Sequence, residues 1–250
     1  MEAYGDFAQV YDLFMQDVPY RKWAKHIETV WKKYNITPRI IAELGCGTGE
    51  LTNYFAKKGI ETIGIDNSAQ MLAVAKEKSL VEGLDVLYLL QDMRDFELYG
   101  TVDSIYSTCD SINYILEEEE LLQTFKWVNN YLDPGGIFIF DINSQYKYEE
   151  ILADNTFAYN IEGGSYIWEN YYDKEEGINE YLVTFFVEDS DGRYSKFEEL
   201  HYERMYTLDD IANLLEKAGM GVEGVYDGYT FEKPRLDSDR LVFIAKEKEK

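Results

Sequence analysis

An acid and three alternating glycines carry the most legible chemistry in this chain: Glu43, Gly45, Gly47 and Gly49, within residues 39–50. Glycine leaves no Cβ between the main chain and a ligand, and the free N–H groups of such a turn face one crevice. A dinucleotide-binding turn needs a third small residue where this chain has Glu50, and a carboxylate there repels the phosphates it should hold. A second acid, Asp66, lies 21 residues beyond Gly45, close to the interval at which a carboxylate meets a ribose in a βαβ nucleotide site. Two ribose hydroxyls can donate to one carboxylate, which discriminates against a phosphorylated ribose. Asp66 is also a good N-cap for the helix that follows, although Ser68 can cap instead and leave Asp66 to a ligand.

The elements that must position these groups follow from periodicity and turn chemistry. Pro38 closes the preceding segment, and the short β-branched run before Gly45 reads as a buried parallel strand. A helix is expected over residues 51–58, then a strand at 61–65, a helix at 69–80, and strands at 85–90 and 102–107. The acids at 117–120 open a helix to Tyr131, complementing its macrodipole, and the Pro134-Gly135-Gly136 turn ends it before a strand at 137–142. Upstream, apolar residues from Tyr4 to Trp31 recur at helical spacing in two segments separated by Pro19. A Thr207 cap and an acidic first turn start a last helix to Lys217. Strands at 221–226 and 240–245 close the sheet, with a loop at 232–239 between them and a solvated tail at 246–250.

Acid-x-Gly-x-Gly-x-Gly, with acids after the second and third strands, resembles the class I S-adenosylmethionine (SAM) dependent methyltransferases. The resemblance implies an α/β fold: a Rossmann-like, seven-stranded, mostly parallel sheet with the last strand antiparallel and an inserted antiparallel β cap. It also implies SAM as cofactor, whose ammonium and sulfonium make nearby acids an asset. Asp92 would accept from the adenine amine, with Gln91 and Met93 beside it, and Cys46, Asn67 and Met71 would join the cofactor contacts. Cys109, Asp110 and Asn113, beyond the fourth strand, would meet the methionine moiety or the acceptor. The opening Tyr-x-x-Phe-Ala-x-x-Tyr-Asp is similar to the lid of sugar N-methyltransferases and glycine methyltransferase-like proteins. There Tyr11, with Tyr20 and Trp23, would close over the cofactor and substrate; the same aromatics can equally staple helices to the sheet. The Asn/Asp-Pro-Pro-Tyr sequence of nucleobase and glutamine N-methyltransferases is missing after the fourth strand, which favours a small-molecule acceptor. As a thiol, Cys109 is read as buried filler rather than a nucleophile.

From Asn143 the pattern changes. After a short helix at 145–152, runs near 155–162, 165–173, 178–188 and 193–206 alternate between glycine-rich turns, the signature of an antiparallel meander. This places an inserted cap at 147–206 within a cofactor domain of residues 1–146 and 207–250. Tyr166 and Trp168 fall on one face of their strand and Tyr181, Val183 and Phe185 on one face of the next. Such faces line a substrate pocket or dock the insertion onto the main domain or onto a second subunit. The substrate-binding candidates are Tyr20, Tyr146, Tyr166, Trp168 and His201, the last also readable as a half-exposed sheet histidine.

Composition bounds the function. The net charge of −24 argues against wrapping nucleic acid or an anionic membrane surface, and leaves a small neutral or cationic substrate. Two cysteines without ligand spacing and two histidines argue against a metal site and suit a reducing cytoplasmic setting. No apolar run spans a bilayer, and the first residues lack a signal-peptide pattern. The expectation is a cytoplasmic methyltransferase, monomer or homodimer, acting on an amine-bearing metabolite or a sugar nucleotide. The alternatives are a SAM-binding module without transfer, a methyltransferase for RNA or protein, and, weakest, a nicotinamide dehydrogenase.

Overall fold

The computed structural model describes residue 8 and residues 11–248. Tyr4 and Phe7 of the expected lid motif lie outside the described residues. Helix α1 (Tyr11–Phe14) is followed by Pro19 and α2 (Tyr20–Lys33). Strand β1 (Ile40–Leu44), α3 (Glu50–Ala56), β2 (Glu61–Asp66), α4 (Ala69–Val81) and β3 (Val86–Leu90) form one half of the main sheet. The other half contains β4 (Val102–Ser107), α5 (Glu118–Tyr131) and β5 (Leu132–Asn143). It is completed by α6 (Leu208–Lys217), β10 (Met220–Asp227) and β11 (Arg240–Glu247).

The seven strands run in the order β10-β11-β5-β4-β1-β2-β3, with β11 antiparallel to both of its neighbours. Successive strands leave β1 toward β3 on one side, while β4 and β5 lie on the other. The ends of β1 and β4 therefore border the point where strand order reverses, the usual crevice of an open α/β sheet.

Side-chain alternation assigns the two faces. Ile41, Tyr106, Ile139, Val242 and Ile244 pack under α2 and α3, where Trp23, Ile27, Val30, Trp31 and Phe55 form the facing stripe. Ala42, Leu44, Ile105, Phe138, Phe140 and Phe243 face α5 and α6 through Phe125, Val128, Ile211 and Leu215. Each fully buried Phe or Ile here stabilises the fold by roughly 1.5–3 kcal/mol.

Two boundaries differ from expectation. Pro134-Gly135-Gly136 does not precede β5 but lies inside it, and the pairing with β4 shifts register between Val102 and Ser104. The expected solvated tail is strand as far as Glu247, whose buried carboxylate accepts from the Gly135 N–H at 2.9 Å. That contact covers the irregular turn, so the acid belongs to the sheet.

Between β5 and α6 a π-helical turn (Lys147–Leu152) leads to a separate antiparallel sheet in the order β6-β7-β8-β9. Its strands are β6 (Thr156–Ile161), β7 (Gly164–Asp173), β8 (Ile178–Glu188) and β9 (Tyr194–Arg204). Tyr166 faces Phe185, and Tyr181 faces His201, so one apolar face runs across three strands. Phe14 of α1 seats on that face, edge-on to Tyr166 at 5.6 Å and tilted on Phe185 at 4.9 Å. The inserted sheet thus carries the N-terminal helix.

Candidate functional site

The turn after β1 is built by close approach. All three glycines have left-handed φ, +68° at Gly45, +51° at Gly47 and +77° at Gly49. A Cβ on Gly49 would come within 2.4 Å of the Tyr88 hydroxyl, whereas one on Gly47 would meet nothing within 4 Å. Gly47 therefore presents bare main chain to open space, beside a cleft of about 340 Å³. The Gly47 N–H donates to Asp66 Oδ2 at 2.8 Å, and Oδ1 accepts from the Ser68 N–H at 2.8 Å. Ser68, not Asp66, is the N-cap of α4, accepting from the Met71 N–H at 3.2 Å. Burial pushes the Asp66 carboxyl above its ordinary value, opposed by those backbone donors.

Ten of the predicted positions line this cleft: Tyr11, Gly45, Gly47, Asp66, Asn67, Met71, Gln91, Asp92, Met93 and Cys109. A smaller recess of about 30 Å³ lies between Tyr11, Tyr20, Cys46 and Glu43, room for one water or one ammonium. Glu43 is buried and accepts from the hydroxyls of Thr52 and, at 3.1 Å, Tyr106. Burial pushes its carboxyl up to about 8. Burial also lifts the Cys109 thiol to about 12, leaving it protonated and no nucleophile.

Asp92 lines the cleft but already has a partner. Arg94 donates from Nη2 at 2.6 Å and from Nε and its main-chain N–H at 2.9 Å, and its other arm reaches Glu120 at 3.0 Å. Those hydrogen bonds hold the Asp92 carboxyl below its ordinary value. On the far rim Lys78 ties Asp12 of α1 at 2.9 Å and also pairs with Glu50, while Thr48 donates to Asp12 at 2.6 Å. Both bases at the rim are thus matched by carboxylates, and the cleft suits a neutral or cationic nucleoside far better than a phosphorylated one.

The remaining candidates lie elsewhere. Trp23 stacks on Tyr229 at 4.6 Å under the Arg240 guanidinium, so it staples α2 to the sheet and does not reach the cleft. Gly49 opens α3 behind the turn. Asp110 and Asn113 are set beneath the floor. Arg240 spans Asp110 at 2.6 Å and Asp141 at 2.7 Å, and Asn113 donates to the Arg204 carbonyl at 2.8 Å. Although burial opposes its charge, Arg240 and Lys147 hold the Asp110 carboxyl low.

Cys109 and Asp110 both have left-handed φ, +62° and +53°. Two such non-glycine residues in succession are strained, and the bonds to Asp141 and Arg240 hold them there. The kink turns Ser111 and Tyr114 into the cleft wall. Sequence reasoning passed over both; the only signal was their place in the run after β4.

Tyr146 is half-buried at the start of the π-helical turn, and Tyr166 and Trp168 hold α1 and Tyr181 rather than the cleft. The half-exposed reading of His201 is corrected. It is 5% exposed, stacked on Tyr181 at 4.8 Å, and burial lowers its imidazole to about 4. Its position on β9 faces the main domain, a packing that strand alternation alone does not reveal.

The reversal-point crevice, the bare glycine turn and acids at successive strand ends define a Rossmann-like nucleoside-binding methyltransferase scaffold. The methyltransferase domain family matches residues 41–136. A putative methyltransferase of Geobacillus sp. (strain WCH70) is 36% identical over 98% of this chain and 99% of that protein. A crystallised S-adenosylmethionine-dependent methyltransferase from Clostridium acetobutylicum ATCC 824 is 34% identical, with a TM-score of 0.90 over 98% of this chain and 99% of that one. A dTDP-3-amino-3,4,6-trideoxy-alpha-D-glucopyranose N,N-dimethyltransferase of Streptomyces venezuelae is 24% identical over 89% of this chain and 93% of that protein. This chain belongs to the S-adenosylmethionine-dependent methyltransferases.

Proposed function

We propose that this chain moves the methyl group of SAM to the nitrogen of a small amine-bearing acceptor, a free metabolite or a sugar nucleotide. The observation that carries this reading is the cleft itself: Gly47 offers bare main chain, Asp66 and Asp92 stand at two strand ends, and Glu43 closes a recess of ammonium size. In this reading Asp66 accepts from the ribose hydroxyls, Gln91, Asp92 and Met93 meet the adenine, and Glu43 receives the amino-acid end. Residues 1–146 and 207–250 form the cofactor unit and residues 147–206 its cap, which carries α1 and Tyr11 over the cleft. Bound SAM supplies an electrophilic methyl group on a sulfonium. The protein's part is to align the acceptor and exclude water, for which orientation alone contributes about 7–11 kcal/mol. The sugar N,N-dimethyltransferase among its distant relatives supports an amino-sugar acceptor, and the acidic surface suits a cationic amine rather than RNA.

Asp66→Ala is expected to weaken SAM binding ten- to a hundredfold in titration calorimetry, about 1–3 kcal/mol for stranded polar partners. Unchanged affinity removes Asp66 from the site. Transfer of labelled methyl from SAM into a panel of small primary and secondary amines tests the acceptor class. Label appearing only in RNA or protein fractions would overturn it.

A further inference from the structure

The turn after β3 gives one member of the acidic run at 117–120 a particular partner. Asp92 accepts three hydrogen bonds from a single residue, Arg94. The Arg94 main-chain N–H and Nε both reach Oδ1 at 2.9 Å, and Nη2 reaches Oδ2 at 2.6 Å. The remaining nitrogen, Nη1, donates to Glu120 Oε2 in the first turn of α5 at 3.0 Å. The Asp95 N–H closes the turn on the Asp92 carbonyl at 3.0 Å, and the Gln91 side-chain oxygen accepts from the Glu97 N–H at 3.0 Å. Met93, between the two, lays its side-chain methyl 3.3 Å from where a Cβ on Gly45 would stand. The turn therefore sits against the glycine bend.

An ionised carboxylate offers about four acceptor positions, and Arg94 fills three of them on Asp92. A side-on guanidinium fork takes the two positions that face each other, and the main-chain N–H takes the outer one on Oδ1. What is left is the outer position on Oδ2, on a residue that lines the cleft. With the Gln91 oxygen engaged by Glu97, Asp92 is the acceptor this turn offers a ligand. The Asp92 and Arg94 side chains are 32% and 45% exposed, and ion pairs so placed add little to stability. Their effect is on direction. Three donors fix the plane of the carboxylate, and Glu120 fixes the fork.

Resting on the placement of adenine against Asp92 in the proposed function, we propose that Arg94, braced by Glu120, is the positioning residue that makes the cleft select an amino-bearing purine over a carbonyl-bearing one. The exocyclic amine of adenine donates to the open position on Oδ2. Hypoxanthine turns a carbonyl oxygen there, and two acceptors repel. Because its plane is fixed, Asp92 neither rotates away from the mismatch nor loses freedom when the amine arrives. Asp92 meets the base; Arg94 and Glu120 act through it.

The test is calorimetric binding of S-adenosylhomocysteine and S-inosylhomocysteine, which differ in the replacement of that amine by a carbonyl. It needs no methyl acceptor. The wild type should prefer the adenine compound roughly ten- to a hundredfold, the range for a hydrogen bond to a charged group. Arg94→Met should cut that preference about three- to tenfold, the cost of ordering one freed side chain. Arg94→Lys keeps the charge without the fork and should lie nearer to Arg94→Met than to wild type. Glu120→Ala should move the ratio in the same direction by less, and no movement removes Glu120 from the device. A merely structural role weakens both ligands alike. An unchanged ratio in Arg94→Met therefore overturns the proposal. So does tighter binding of the adenine compound, which would make Arg94 a competitor for Asp92, or a full wild-type ratio in Arg94→Lys. Asp92→Ala separates the two levels of the argument. If it loses the preference while Arg94→Met keeps it, the role of Arg94 alone falls. If Asp92→Ala keeps the preference, or the wild type has none, Asp92 leaves the adenine site and Arg94 goes with it.

Discussion

Glu43 shows how burial and function pull one side chain in opposite directions. With no ligand beside it, burial keeps the carboxyl protonated up to about pH 8, while Thr52 and Tyr106 donate to it. An ammonium entering the recess favours the charged form and expels the proton. Cofactor binding near neutrality is therefore expected to release a fraction of a proton, and affinity should strengthen as pH rises from 4.5 through 8. Calorimetry in buffers of different ionisation enthalpy reads this directly, and Glu43→Gln should abolish the release. No proton release in the wild type would place the ammonium elsewhere. The same raised value makes the contribution of Glu43 to ligand-free stability fullest below 4.5 and lost as pH climbs through 8.

At the scale of elements, the strained kink after β4 and the strand β11 depend on each other. Arg240 on β11 bonds Asp110 of the kink and Asp141 of β5 at once, at 2.6 and 2.7 Å. Tyr229 adds a hydroxyl to Asp141 at 2.8 Å. Arg240→Leu strands two buried carboxylates and is expected to cost about 3–5 kcal/mol, read as a lowered midpoint in urea unfolding. Arg240→Lys should recover only part of it, since an ammonium is a point charge without the planar fork. A neutral outcome for Arg240→Leu would mean that the kink is held by its backbone bonds alone. This dependence was not legible beforehand. Asp110 reads as a site residue in sequence because it follows a strand tip, and only the return of β11, 130 residues later, shows it to be half of an ion pair. Of the two readings open for Trp23, the structure shows the staple, and its partner Tyr229 comes from the far end of the chain.

For the whole molecule, the four-stranded sheet ties α1 to the main domain. Phe14 rests on its inner face, while Tyr181, His201 and Glu203 reach the main domain from that same face. His201 and His26 are both buried, and burial lowers each to about 4. Groups whose folded value is depressed contribute stability above their unfolded value near 6.5 and lose it as pH falls toward 4. The thermal midpoint is expected to drop across that window, and His201→Gln should flatten part of the drop. A pH dependence that His201→Gln leaves unchanged would show that its ring does not drive the drop. No helix among the described residues is long and apolar enough to cross a membrane.

What the amino-acid order determined by itself is local. Glycine spacing needs only the neighbouring main chain, strand tips follow from periodicity, and the turns of the inserted meander are written in Gly163, Gly177 and Gly192, all with left-handed φ. The individual strands and the antiparallel meander were legible on those grounds, while the seven-stranded sheet with its reversed last strand was what the family resemblance implied. What the tertiary structure alone decided is which side chains meet. Trp23 turned away from the cleft, Tyr114 turned into it, and Glu203 came to lie two hydroxyls from its wall. Hydrogen bonds and ion pairs between residues 67 to 130 positions apart leave no periodic trace in sequence. They exist only once burial has removed the water that would otherwise satisfy them.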